Sequence, residues 1–269
     1  MYRNTFLSVM FLACCFNGSL CAQSDAQIYE RTCDAKTYPF SDPSPVATPN
    51  NSYYPYFRFD GFSMQAQEKQ WKMVVLENDY VKLTVTPEIG GKIWGAIDKV
   101  NNKEFVYTNG VVKFRDVAMR GPWTSGGIEF NFGIIGHAPT CSTPIDYLTK
   151  KNVDGSVSCH IFSYEWITRT VWNVEINLPK DKAYFTTHTT WFNQSSIDQP
   201  YYQWMNAGYA TKTGTRFYYP GTYSIGHSGD LHPYPIDEEG RDVSWYDNNN
   251  FGASKSLHII GDYLSLIHI

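Results

Sequence analysis

The chain has 269 residues, 42% hydrophobic and 18% charged, with a formal net charge of −4 at pH 7. This length and apolar content can bury one sizeable core, while the mild acidity argues against nucleic acid, whose binding rests on clustered Lys and Arg. Aromatic residues reach 16%, and their flat faces with polar edges suit both strand surfaces and the C–H faces of sugar rings.

Arg3 is the sole charge before Asp25, and Phe6 to Phe16 is an apolar run too short to span a membrane. Residues 1–22 read as a secretion signal, with Ala22 before Gln23 as a cleavage point. A lipoprotein signal ending at Cys14 is the alternative. No other stretch approaches 18 consecutive apolar residues, so the mature chain is expected in the periplasm or outside the cell, without an integral membrane segment. Beyond the signal, Cys33, Cys141 and Cys159 remain, an odd number without metal-ligand spacing. They allow one disulfide at most, and free thiols are the alternative.

Residues 23–67 are rich in Pro, Ser, Asn and Asp, interrupted by the aromatic segment Tyr53 to Phe62. They read as an extended leader crossing a domain of residues 68–263. From Trp71 onward the pattern is β. Val81, Leu83 and Val85 alternate with Lys82, Thr84 and Thr86, the period of a half-buried strand. Pro87-Glu88-Ile89-Gly90-Gly91 breaks the run, and Lys92 to Asp98 resumes it.

Next comes the densest functional signal, Gly121 to Pro139, with five glycines around Glu129 and His137. Glycines let backbone approach a ligand closely. A carboxylate and an imidazole between them can hydrogen-bond a polar molecule or move its protons. Glu129 and His137 are therefore candidate catalytic groups, with Trp123 and Asn131 as candidate binding groups. Arg120, just before the loop, carries a fork that can hold hydroxyls or a carboxylate. Structural roles fit the same residues: backbone satisfaction for Glu129 and His137, an ion pair for Arg120, a strand-edge core position for Trp123.

Asp154-Gly155 predicts a hairpin turn between the segment around Ile145-Asp146-Tyr147 and a strand over Val157 to Phe162. Trp172, Val174, Ile176 and Leu178 share one strand face. Ala183 to Asn193 and Tyr201 to Ala210 are further strands. In the second of these Trp204 and Asn206 share a face, a stacking group beside a hydrogen-bonding one. His160 and His188 read as satisfied strand histidines. Ser224 to His232 is a second Gly- and His-rich loop, whose His227 is a candidate catalytic or binding imidazole expected at the same rim as His137. Ile236 to Asp242 is acidic, but its spacing matches no calcium loop and reads as a solvated turn. Leu264 to Ile269 resembles a translated sequencing adapter, so 264–269 reads as a non-native tail. No window offers an amphipathic helix of ten residues, and antiparallel strands with one wet face follow. The expected fold is all-β, a large antiparallel sandwich. With no phosphate loop, dinucleotide fingerprint, G-x-S-x-G elbow or zinc motif, neither cofactor nor metal is expected.

The segment Glu77 to Ile93, with Asp98-Lys99 and Glu104-Phe105-Val106-Tyr107, resembles the opening strands of the galactose-mutarotase-like superfamily. Pro55 to Gly61, Gly121 through Asn131, Pro144 to Tyr147, Trp204 to Ala207 and Trp245 to Gly252 more closely resemble the secreted bacterial family known as domain of unknown function 5107. The superfamily resemblance implies a supersandwich that binds saccharides on a concave sheet face. Its epimerases protonate a ring oxygen with a His while a Glu takes the anomeric proton. Gly136-His137 resembles the Gly-His placement of hexose-phosphate epimerase relatives, whose carboxylate base lies near the domain's end. A supersandwich needs roughly 250 residues, more than Trp71 to Tyr263 supplies, so a C-terminally truncated domain is expected. The resemblance and the loop together imply a saccharide ligand, handled by an aldose 1-epimerase-like or glycoside hydrolase-like enzyme. A non-catalytic saccharide-binding domain is the alternative.

Overall fold

A computed structural model of the chain describes residues 24–40, 62–116, 122–133, 137–200, 203–210, 214–225 and 229–248, and the backbone alone of 263–268. The alternation in the sequence becomes two packed sheets. Strands β1 (Gln27–Tyr38), β2 (Gln67–Glu77), β3 (Val81–Thr86), β4 (Lys92–Asp98), β5 (Lys103–Val106) and β6 (Val112–Lys113) build one side of the larger sheet. Two two-residue strands, β7 (Arg115–Asp116) and β8 (Pro122–Trp123), pair with each other and lead into β9 (Ile128–Phe132). The smaller sheet holds β10 (Asp146–Lys151), β11 (Val157–Glu165), β12 (Thr170–Leu178) and β13 (Thr186–Asn193) in that order. The chain then returns to the larger sheet in β14 (Gln203–Ala210), makes the ribbon β15 (Tyr223–Ile225) and β16 (Leu231–Pro233), and ends in β17 (Tyr263–His268). The larger sheet runs β17-β14-β9-β4-β3-β2-β1-β6, with β5 also on β4.

Pairing is antiparallel as expected, except that β1 and β6 run parallel at Thr37 and Val112. Gln27–Tyr38, inside the segment read as a leader, is a member of the larger sheet and pairs along almost its whole length with β2. Leu264 to His268 pair with β14. The aromatic stretch through Gly61 lies outside the described residues, but Phe62 packs against a cluster beside β1 and β2. Only two short 3₁₀ turns, Pro139–Ser142 and Tyr246–Asn248, occur as helix among the described residues. None of their helices is long and apolar enough to cross a membrane.

The period-2 rule assigns the faces. Val81, Leu83 and Val85 of β3 and Trp172, Val174, Ile176 and Leu178 of β12 are buried. They meet Ile93, Ile128, Phe130 and Phe132 in one core between the sheets. Phe132 stacks on Trp172 at 4.5 Å, with 11° between the rings. Each such side chain removed from water stabilises the fold by about 1.5–3 kcal/mol. A second cluster, Trp71, Met73, Ile89, Trp94, Val112 and Phe114, covers the other face of the larger sheet. Because Ile93, Ile128, Phe130 and Phe132 face the inner core, Lys92, Trp94, Glu129 and Asn131 must face this outer side.

The turn after β3 seats the outer layer. Gly90 has φ +66°, and a Cβ there would lie 2.6 Å from the Thr140 carbonyl oxygen. The backbone of Pro139–Ser142 thus approaches to a distance only glycine permits. The hairpin between β10 and β11 turns at Gly155, whose φ of +81° matches the Asp-Gly signal.

Candidate functional site

Strands β9 and β14 lie side by side, with Asn206 opposite Glu129 and Trp204 opposite Asn131. Four residues singled out in the sequence therefore share one face of the sheet, and all four are buried. Lys92 joins them from β4, which pairs with β9 at Ile93 and Ile128. The loop before β9 closes over them. Gly127 has φ +66°, and a Cβ on it would sit 2.2 Å from the Ile93 carbonyl oxygen. That contact brings Thr124 to Lys92, whose Nζ donates to the Thr124 carbonyl and, at 3.2 Å, to its Oγ1.

At the centre Glu129 Oε1 accepts from Asn131 Nδ2 at 2.7 Å and contacts His137 Nδ1 at 2.6 Å. Asn131 Oδ1 accepts the Ala138 N–H at 2.8 Å, so both ends of this amide are engaged. The His137 ring lies edge-to-face against Trp204 at 4.6 Å and Trp123 at 5.9 Å. Lys92 Nζ stands 5.7 Å from the Trp123 ring and 6.0 Å from that of Trp94. Cys141 closes the floor, donating its thiol to the Pro122 carbonyl at 3.3 Å.

Burial opposes the charge on Glu129, but the His137 bond, the Lys92 charge and the Asn131 bond outweigh it, holding the carboxyl below its ordinary range. For Lys92 burial dominates and lowers the ammonium pKa, partly offset by Glu129. The Cys141 thiol is pushed well up by burial and by Glu129. An ionised Glu129 only accepts, so His137 Nδ1 donates in this bond. His137 makes no other hydrogen bond among the described residues.

Arg120 and His227 lie outside the described residues. His160 meets Asn173 at 3.4 Å and Glu175 at 3.8 Å, the partners of a satisfied strand histidine. His188 instead lies exposed on β13, an edge strand of the smaller sheet. The acidic turn is closed by Arg241, which bonds Asp237 at 2.7 Å. Cys33, Cys141 and Cys159 are free thiols. No group of three His, Cys, Asp or Glu among the described residues could hold a metal ion.

Lys92 was not singled out in the sequence. Its signal was there: it is the sole charge between Ile89 and Ala96, and alternation puts it on the side of Trp94. The fold and site together define an all-β sandwich whose larger sheet carries a buried, aromatic-walled Lys–Glu–His cluster on its outer face. The family model of a domain of unknown function, DUF5107, matches residues 48–268, and the chain belongs to that family. It is also similar to the crystal structure of a TPR-domain containing protein from Parabacteroides distasonis, with a TM-score of 0.68 and 25% identity. That match covers 75% of this chain and 35% of the other, so this chain spans about a third of that protein's length.

Proposed function

We propose that this chain is an exported, carbohydrate-active domain of galactose-mutarotase-like type, acting on a sugar by imidazole–carboxylate acid–base chemistry. One observation carries the reading: the buried Glu129–His137 pair, which fixes the imidazole by Nδ1 and leaves Nε2 without a hydrogen bond among the described residues. A carboxylate that orients a histidine makes its far nitrogen a directed proton acceptor, and a donor on the return step. Trp204 and Trp123 wall the ring and supply aromatic surface for a sugar's C–H face. Asn131, with both ends engaged, positions Glu129 rather than contacting ligand. Trp123 and Asn206 are the contact groups.

Hydrolysis requires two carboxylates across the scissile bond, and Glu129 is the one carboxylate of the cluster among the described residues. That supports proton transfer on a free aldose, as in an aldose 1-epimerase, over glycoside hydrolysis. The near closure of the cluster, with side-chain exposures of 12% for His137 and 4% for Glu129, favours a second reading, a non-catalytic saccharide-binding domain.

The test follows anomer interconversion of pure α- and β-hexoses by polarimetry, alongside calorimetric titration with hexoses and oligosaccharides. Enzyme-dependent interconversion that His137→Asn abolishes at unchanged Tm supports the epimerase reading. Saturable binding without interconversion assigns the binding domain. Absence of both, with a large stability loss in Glu129→Gln, makes the cluster a structural core and refutes the proposal.

A further inference from the structure

Three buried polar atoms of the cluster have no hydrogen-bond partner among the described residues: Trp123 Nε1, Glu129 Oε2 and Asn206 Oδ1. A buried polar atom left unpaired forfeits its hydration with nothing in return, so folded proteins keep few of them. Here they are gathered in one place. Glu129 and Asn206 are direct cross-strand partners, so their side chains stand side by side on one face. Trp123 joins them through its ring, edge-to-face at 5.9 Å with the His137 that Glu129 holds.

We propose that these three atoms form a subsite for two neighbouring hydroxyls of a neutral saccharide ring. One hydroxyl donates to Glu129 Oε2 and the other to Asn206 Oδ1, while Trp123 Nε1 donates back to a hydroxyl oxygen. This inference rests on the saccharide reading above. The inventory narrows the occupant to a neutral group with two hydrogens and an accepting oxygen, a diol or a single water. Two acceptors need two hydrogens, and a hydroxyl has one, so a single alcohol leaves an acceptor dry. A carboxylate or phosphate brings acceptors alone and sets an anionic oxygen against an ionised Glu129. An ammonium supplies hydrogens but cannot accept from Trp123, and it adds a cation beside Lys92, whose charge Glu129 already balances. A diol satisfies all three atoms, donating twice and accepting once, without changing the cluster's charge.

The experiment titrates the full chain with methyl glucoside, methyl galactoside and methyl mannoside. It repeats the best of them as each monodeoxy analogue, as an aminodeoxy analogue and as the uronate. Removing either of two adjacent hydroxyls is expected to weaken binding at least about tenfold, and the amino and acid analogues are expected to bind more weakly than the parent. Asn206→Leu and Trp123→Phe remove one unpaired atom each. They should lose affinity to the same degree while the Tm holds or rises, the trade expected of a binding site that costs stability. If the parent glycoside binds and every deoxy analogue binds equally well, the diol subsite is overturned while the saccharide reading stands. If both variants lose several degrees of Tm at unchanged affinity, the three atoms serve a structural water and the subsite is again overturned. If no glycoside binds the wild-type chain, both readings fall.

Discussion

Replacing Lys92 by Met tests the electrostatics on which the cluster depends. Lys92 is 2% exposed and Glu129 3%, and the Lys92 charge acts on that carboxylate beside its bonds to His137 and Asn131. Met retains most of the stem's volume while deleting the ammonium and its two bonds to Thr124. Stripping one partner from a contacting buried pair costs about 3–5 kcal/mol, an upper bound here because Lys92 bonds Thr124 and acts on Glu129 through space. Two effects offset part of this: the ammonium's own desolvation is relieved, and the His137 bond to Glu129 remains. A net loss of about 2–3 kcal/mol is expected, which for a domain of this size lowers the Tm by about 4–12 °C. Urea unfolding followed by tryptophan fluorescence, with calorimetry for Tm, measures it. The double variant Lys92→Met/Glu129→Gln removes both charges and should cost at least about 1 kcal/mol less than the sum of the singles. A loss below about 0.5 kcal/mol for Lys92→Met, or strict additivity in the double variant, would refute the coupling and leave Lys92 as a loop anchor for Thr124.

Stability should depend on pH through the same pair. Glu129, held low despite burial by His137, Lys92 and Asn131, contributes fully above the unfolded carboxyl pKa of about 4.3 and loses that contribution as pH falls through its depressed folded value. Glu129→Gln should therefore flatten the acid limb of the curve. Lys92, its pKa lowered by burial, binds its proton less readily folded than unfolded, so its unfavourable contribution is relieved as pH rises toward about 10.4. The Lys92→Met curve should lack that alkaline gain. Gly127→Ala forces a Cβ to 2.2 Å from the Ile93 carbonyl at φ +66° and should cost about 2 kcal/mol or more; a neutral result in urea unfolding would show that the loop can shift away. Alkylation followed by mass spectrometry should label half-buried Cys33 first. The Cys159 thiol, pushed up to about 12 by burial, and the Cys141 thiol, pushed well up by burial, should label only on unfolding.

Much of the site was legible because its members are close in sequence. Trp123, Glu129, Asn131 and His137 fall within fifteen residues, and a glycine-rich loop has few ways to place such groups far apart. Trp204 and Asn206 were legible as sharing one strand face, since alternation along a strand is local. That they stand opposite Asn131 and Glu129 was not, because the pairing of β14 with β9 joins segments about seventy residues apart and no local pattern encodes that choice. Lys92 escaped for the same reason: its neighbours in sequence are apolar, and its partners Thr124 and Glu129 come from a loop and a strand beyond it.

The sequence by itself determined the β class, the alternating faces of β3 and β12, the Asp-Gly hairpin and the glycine loop, all features set by backbone preference and side-chain periodicity over a few residues. Tertiary structure alone decided which strands became neighbours, and with it which side of the larger sheet faces the smaller one. That choice left Glu129, Asn131, Trp204 and Asn206 on the outer face and drew Lys92 in beside them. Burial then supplied what no local pattern carries: a low-dielectric setting in which one lysine and one histidine hold a carboxylate charged, and in which three unpaired atoms acquire a cost that a ligand can remove.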